Sequence, residues 1–168
     1  MRSSNTERFT KRAQKAIECA HQESSELGHS YVGTAHLLLG LMRDGSGLAC
    51  RIMRRAGLIE KDLRDAVENA SGRGIKEPPV QGLSPNAKLA VELAAAEAAR
   101  LGHSFVGTEH ILMGILRLPD CAGTRTVESL GHDPNRLYTD LMDVFTLTEY
   151  PFLCPGCRGK CCRRRSRW

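Results

Sequence analysis

The line LGHSYVGTAHLLLG, Leu27 to Gly40, returns almost unchanged as LGHSFVGTEHILMG, Leu101 to Gly114. Sliding the chain on itself by 74 residues aligns Phe9–Arg43 with Leu83–Arg117 without a gap, and 16 of 35 positions are identical. The register continues beyond this block, with Gly57 on Gly131 and Leu63 on Leu137. A period this long exceeds the roughly 20–50-residue unit of a solenoid. It implies two copies of a small domain. In a chain of 168 residues, two such copies share one interface, and a pseudo-twofold arrangement is expected.

Each copy reads as helical. Ala13, Ala16, Ile17, Ala20 and Leu27 form an apolar stripe at helical spacing, matched by Ala87, Ala90, Val91, Ala94 and Leu101. Ser84-Pro85 is a helix start, a capping hydroxyl followed by proline at the first helical position. Gly28 and Gly102 stand where left-handed C-terminal caps belong. After a short loop, Thr34 and Thr108 open the next helices, as simple N-caps or as ligands. HLLLGLM and HILMGIL are apolar all round and predict central, buried helices. Two further helices are expected in each copy, over 48–56 and 60–70 and over 123–130 and 134–145. Pro119 should end its helix early, because RLPDCAGTRTV lacks the Gly-rich turn of RDGSGLACRIM. The expected fold is all-α, eight helices in two four-helix repeats. The divisions are an N-terminal tail at 1–7, repeat one at 8–70, a Gly/Pro-rich linker at 71–83, repeat two at 84–146 and a tail at 147–168.

Charge is unevenly placed. The formal net charge is +5, yet six cations and no acid lie from Arg158 onward, so residues 1–157 are close to neutral. No apolar run reaches the ~20 residues of a membrane span. The start, MRSSNTERFTKR, has no apolar core of a secretory signal, so a cytoplasmic setting with reduced thiols is expected. Cys19, Cys50 and Cys121 fall in helical registers as small core hydrophobes. No nucleophile–base pair, HExxH pattern or phosphate loop is visible, so no catalysis is expected.

The stretch FTKRAQKAIECAHQESSELGHSYVGTAHLLLGLMRDGSGLACRIM closely resembles the first repeat of the Clp N-terminal domain of ClpC-type unfoldases. LSPNAKLAVELAAAEAARLGHSFVGTEHILMGIL resembles the second repeat, and the resemblance covers Arg8 to Phe145. It implies a double-repeat helical module that recruits protein substrates or adaptors for a Clp ATPase and its protease. The motor itself is not visible. The sole Gly-Lys, Gly159-Lys160, is followed by Cys161, and the first glycine of a Walker A loop would fall on Cys154. The expectation is a stand-alone recognition module without its ATPase.

Val106-Gly107-Thr108-Glu109 combines a helix start, which offers free N–H groups, with a hydroxyl and a carboxylate. Such a set suits a ligand bearing both signs of charge, and the resemblance implies phosphoarginine, a degradation mark. Glu109 would take the guanidinium. By the same resemblance Lys88 would face the phosphate and Ser84 would add a hydroxyl. Glu109 can equally be a charge that favours the helix dipole. Copy one keeps Thr34 but has Ala35 and Gln14 where copy two has Glu109 and Lys88. It is expected to retain the fold and lose much of the site. His29, His36, His103 and His110 read as structural, fixing the loops.

The tail CPGCRGKCCRRRSRW lies outside the resemblance. Cys154, Cys157, Cys161 and Cys162 could supply four sulfur ligands to zinc, although the two pairs are closely spaced. A metal-free Cys-rich end and a redox-sensitive dithiol are the alternatives. A second reading makes this tail the active element, a zinc-dependent regulatory or nucleic-acid-binding segment on a helical scaffold. Nucleic acid is not the expected partner, since only Trp168 could stack on a base.

Overall fold

Ala13, Ala16, Ala20 and Leu27 all lie on a buried face along and just beyond the first helix, as their spacing requires. The structure is a computed structural model that describes residues 8–74 and 81–149, the side chains of 146–149 excepted. The expected N-terminal tail, the central part of the linker and all four tail cysteines lie outside the described residues.

Among the described residues the chain forms eight helices and no strand. The first copy contains α1 (Lys11–Glu26), α2 (Thr34–Asp44), α3 (Leu48–Arg55) and α4 (Glu60–Ser71). The second contains α5 (Pro85–Arg100), α6 (Thr108–Leu116), α7 (Ala122–Ser129) and α8 (Pro134–Glu149). Ser84 caps α5 by accepting from the Ala87 N–H at 3.2 Å, and Pro85 takes the first helical position. Gly28 and Gly102 have φ of 74° and 71° and turn the chain out of α1 and α5. None of the described helices is long and apolar enough to cross a membrane.

The centre is built from α2 and α6. Leu37, Leu38, Leu39, Leu41 and Met42 are buried all round α2, as are Ile111, Leu112, Met113 and Ile115 around α6. The second copy departs where proline dictates. α2 runs eleven residues and closes on Gly45 at φ 67°, whereas α6 runs nine and ends before Pro119, which aligns with Gly45. The chain then turns through Asp120 at φ 59°. Cys121 caps α7, its sulfur accepting from the Thr124 N–H at 3.4 Å.

The copies interlock by exchanging their entry segments. Phe9 forms a parallel bridge with Val106, and Leu83 forms the equivalent bridge with Val32. Thr10 N–H donates to the Val106 carbonyl at 3.0 Å, and Ser84 N–H to that of Val32 at 2.9 Å. Moving Phe9 forward by 74 positions and Val106 back by 74 gives the other pair, Leu83 and Val32. This is the signature of a pseudo-twofold axis. The start of each copy's first helix therefore sits against the loop of the other copy.

Each copy also buries one glutamate on its apolar stripe. Glu23, 1% exposed, is held by Arg43 at 2.7 Å and by Arg64 at 2.7 and 2.5 Å. Glu97, 4% exposed, is held by Arg100, Arg117 and Tyr138 at 2.7–3.1 Å. Burial pushes Glu97 up, but hydrogen bonds from Arg100 and Tyr138 outweigh it and hold the carboxyl below its usual range. Two of the aligned neighbours differ in charge. Glu26 and Arg64 of copy one correspond to Arg100 and Tyr138 of copy two, so each buried acid keeps several donors.

Candidate functional site

Two histidines hold each loop against the helix that follows it. In copy one the Gly33 N–H donates to His36 Nδ1 at 2.9 Å. His36 Nε2 meets His29 Nδ1 at 2.8 Å, and His29 Nε2 meets the Gly72 carbonyl at 2.9 Å. A carbonyl only accepts, so one tautomer satisfies the whole chain. In it each ring donates from Nε2 and accepts at Nδ1. Copy two repeats the first two of these contacts, Gly107 N–H to His110 Nδ1 and His110 Nε2 to His103 Nδ1, each at 2.8 Å. The Phe145 ring stacks on His110. Burial, aided by His29, pushes the His36 pKa down to about 4. Burial likewise lowers His110, although Glu109 opposes the shift.

Acid should therefore loosen the fold. A proton on His36 Nδ1 would face the Gly33 N–H, donor against donor. The folded-state value lies below the unfolded value of about 6.5. The stabilisation is complete above pH 6.5 and is lost as pH falls toward 4. A shift of about 2.5 units corresponds to about 3 kcal/mol by linkage. Urea melts at pH 7.5 and 4.5 measure it. His36→Asn, which keeps an acceptor for Gly33, should show a shallower loss. An unchanged slope in that variant would sink the assignment.

With the loops fixed, Gly107 is the N-cap of α6, and Thr108 and Glu109 are its first two residues. Glu109 folds back over Gly107. A Cβ on that glycine would lie 2.2 Å from Glu109 Oε1. The carboxylate accepts from the Thr108 hydroxyl at 3.2 Å and lies 3.6 Å from His110 Nδ1, its side chain 20% exposed. The rest of this pocket comes from the first copy, namely Thr10, Lys11 and Arg12 at the start of α1, and Leu48 at the start of α3.

The matching pocket in copy one contains Tyr31, Gly33, Ala35 and His36, with Ser84 and Ala122 from the second copy. The pseudo-twofold thus divides the residues expected to form one site. Ser84 lines the Ala35 pocket, on the far side of the axis from Glu109. Lys88, exposed one turn along α5 from Ser84, goes with it. Gln14 holds the equivalent place on α1 near Glu109, donating to the Phe9 carbonyl at 3.0 Å. The carboxylate thus lines one pocket, while Lys88 lies on the helix whose start borders the other.

The remaining expected residues are less available than their positions in the motif imply. Val106 is 3% exposed, and its N–H and carbonyl are taken by Arg8 and Thr10. The Gly107 N–H is taken by His110, which leaves the amides of Thr108 and Glu109 at the helix start. The threonines are not N-caps, since Gly33 and Gly107 hold those positions, and both are almost fully buried. Thr34 Oγ1 accepts from the Gly123 N–H of α7 at 2.9 Å, across the axis. Thr108, 2% exposed, packs against Gly47, where a Cβ would lie 2.5 Å from its hydroxyl. They join the copies. Among the described residues no cluster of three His, Cys, Asp or Glu side chains could hold a metal.

Comparison with known proteins agrees with this architecture. The family model of the Clp repeat (R) N-terminal domain matches residues 8–130. The chloroplastic chaperone protein ClpC1 of Oryza sativa subsp. japonica is 42% identical over 137 residues, 81% of this chain. The chain spans 15% of that relative's length. The crystal structure of the N-terminal domain of the chaperone ClpD from Arabidopsis thaliana superposes with a TM-score of 0.73 at 25% identity, covering 87% of this chain and 99% of that one. A ClpV N-domain solved in complex with a VipB peptide shares the fold, with a TM-score of 0.64 at 17% identity over 83% of this chain and 88% of that one. With the double repeat, the exchanged entry segments and these likenesses in agreement, the chain belongs to the Clp repeat N-terminal domain family.

Proposed function

We propose that this chain is a non-catalytic recognition module of the Clp chaperone and protease system, taking protein substrates or adaptors through the Glu109 pocket. The supporting observation is the pocket's mixed charge. A partly exposed carboxylate faces two cations, Lys11 and Arg12, across the start of two helices. A ClpV N-domain binds a VipB peptide, and peptide binding suits a pocket open to the surface. Phosphoarginine fits the charges. Its guanidinium would donate to Glu109, and its phosphate would meet the first-turn cations of α1 and the amides of α6. Because the start of α5, the helix that carries Lys88, borders the other pocket, the phosphate would fall to Lys11 and Arg12.

Calorimetry with free phosphoarginine tests this reading. The wild type should bind at one site. Glu109→Ala removes a charge-assisted pair and should weaken binding about 10- to 100-fold. Equal affinity in the two proteins would refute the site. The variant should remain folded, since the carboxylate contributes only a short-range dipole interaction and one hydroxyl contact.

A further inference from the structure

We infer that the outward face of α3, together with the first turn of α1, forms a docking strip for an acidic, extended segment of a protein partner. The inference extends the pocket reading above, but its chemistry is independent of any guanidinium. α3 is divided cleanly. Ala49, Cys50, Ile52 and Met53 are buried, while Arg51, Arg54 and Arg55 are exposed at i, i+3 and i+4 and share one face. Leu48, at the amino end of α3, lines the Glu109 pocket beside Lys11 and Arg12. Lys11 and Arg12 line that pocket, and Arg51, Arg54 and Arg55 continue away from it along α3.

These cations differ from the arginines that serve the two buried glutamates. Arg43, Arg64, Arg100 and Arg117 are each bound to Glu23 or Glu97. Among the described residues Lys11, Arg12, Arg51, Arg54 and Arg55 form no ion pair. Arg54 and Arg55 at a helix C-terminus complement the dipole, but that does not account for the rest. Lys11 and Arg12 occupy the first turn of α1, which holds no acid, and there a cation opposes the dipole. The fold does not require this pattern either. The aligned residues of copy two are Pro85, Asn86, Arg125, Glu128 and Ser129, a single cation offset by one acid. An anionic partner would offset the mutual repulsion that the first copy tolerates.

The strip has a defined length. α3 spans about 12 Å at 1.5 Å per residue. Beyond it Arg55 enters a groove that also contains Asp133, Arg136 and Asp140, where the positive field ends. An extended chain covers this distance in roughly four residues. The partner is therefore a short acidic run. A nucleic-acid backbone fits less well, because Glu109 closes one end and Asp133 and Asp140 close the other.

The test uses the full chain and a labelled ten-residue peptide containing four glutamates, no arginine and a photo-crosslinking group. Binding in low salt should weaken as ionic strength rises. Arg51→Glu/Arg54→Glu/Arg55→Glu should weaken it about tenfold, the sum of several exposed pairs. The triple glutamine variant should show a smaller loss, and Arg125→Glu on α7 none. Affinity for free phosphoarginine should be unchanged in the triple variants, which separates this strip from the Glu109 pocket. Crosslinks should fall on α1 and α3. Wild-type peptide affinity in both triple variants, crosslinks confined to residues 150–168, or tighter binding of a length-matched oligothymidylate would each overturn the proposal.

Discussion

Gly114→Val is expected to abolish the cooperative thermal transition, with Gly40→Val close behind. A Cβ on Gly114 would lie 2.1 Å from the Ala90 carbonyl oxygen and 2.8 Å from the Ala94 nitrogen. On Gly40 it would lie 2.2 Å from the Ala16 oxygen and 2.7 Å from the Ala20 nitrogen. These obstacles are backbone atoms of α5 and α1 and cannot rotate aside. The helix pairs would have to separate, opening the alanine stripes that close them. Overpacking ordinarily costs about 1–3 kcal/mol and sometimes more. Valine adds two further methyl groups at each collision, against a total stability of roughly 5–15 kcal/mol. Propensity alone predicts the opposite sign for alanine, a gain of about 0.5–1 kcal/mol in a helix interior. Gly114→Ala is therefore decisive, and a melting temperature at or above that of the wild type would refute the close approach. Gly102→Ala is the contrast. It has open space around it but φ of 71°, so only the left-handed penalty of about 1–2 kcal/mol is expected.

Gly40 and Gly114 show why so much of the fold was legible. Each sits in an all-apolar helix opposite an alanine stripe, and both patterns recur after 74 residues, so a single register carried the helices of both copies. Helix ends followed local chemistry that any sequence displays. Ser84-Pro85 started α5, Gly28 and Gly102 ended their helices, and Pro119 shortened α6. The buried acids left a weaker signal. Glu23 and Glu97 interrupt the apolar stripe at the same aligned position, which marks a satisfied buried charge. The donors Arg43 and Arg117 align, but Arg64 gives way to Tyr138 and Arg100 is added, and no spacing rule pairs Glu97 with Tyr138.

The candidate site was legible in its parts and not in its assembly. Alignment places Lys88 and Glu109 in one copy, which suggests one pocket. The bridges Phe9–Val106 and Leu83–Val32 exchange the entry segments, so each pocket takes its loop from one copy and its first helical turn from the other. That exchange is a long-range pairing, and nothing within either copy encodes it. The N-cap reading of the threonines fails because Gly33 and Gly107 hold the cap positions. Thr34 serves a helix 89 positions away, a partner that the cap pattern at its own helix start does not reveal.

The exchange makes Ala35→Glu the most informative gain of function. Over Gly107 the space beside the backbone is filled by the Glu109 carboxylate. Over Gly33 a Cβ would meet only His36 Nδ1, at an ordinary 3.5 Å, so the matching space is open. Ala35 lines that pocket, and an acid at the second position of α2 also complements the helix dipole by about 0.3–1 kcal/mol. The new carboxylate would stand across from Ser84 and the start of α5, which carries Lys88, giving the first pocket both signs of charge. Phosphoarginine should then bind at two sites, the new one gained by about 10- to 100-fold over its background. Ala35→Glu/Glu109→Ala isolates the new site, and Lys88→Ala in that background should weaken it again. Ala35→Gln, of similar shape without charge, should gain little. A stoichiometry fixed at one in Ala35→Glu would mean that copy one lost more than its carboxylate. Two sites would show that its scaffold for this ligand is intact and that one side chain separates a working pocket from a silent one.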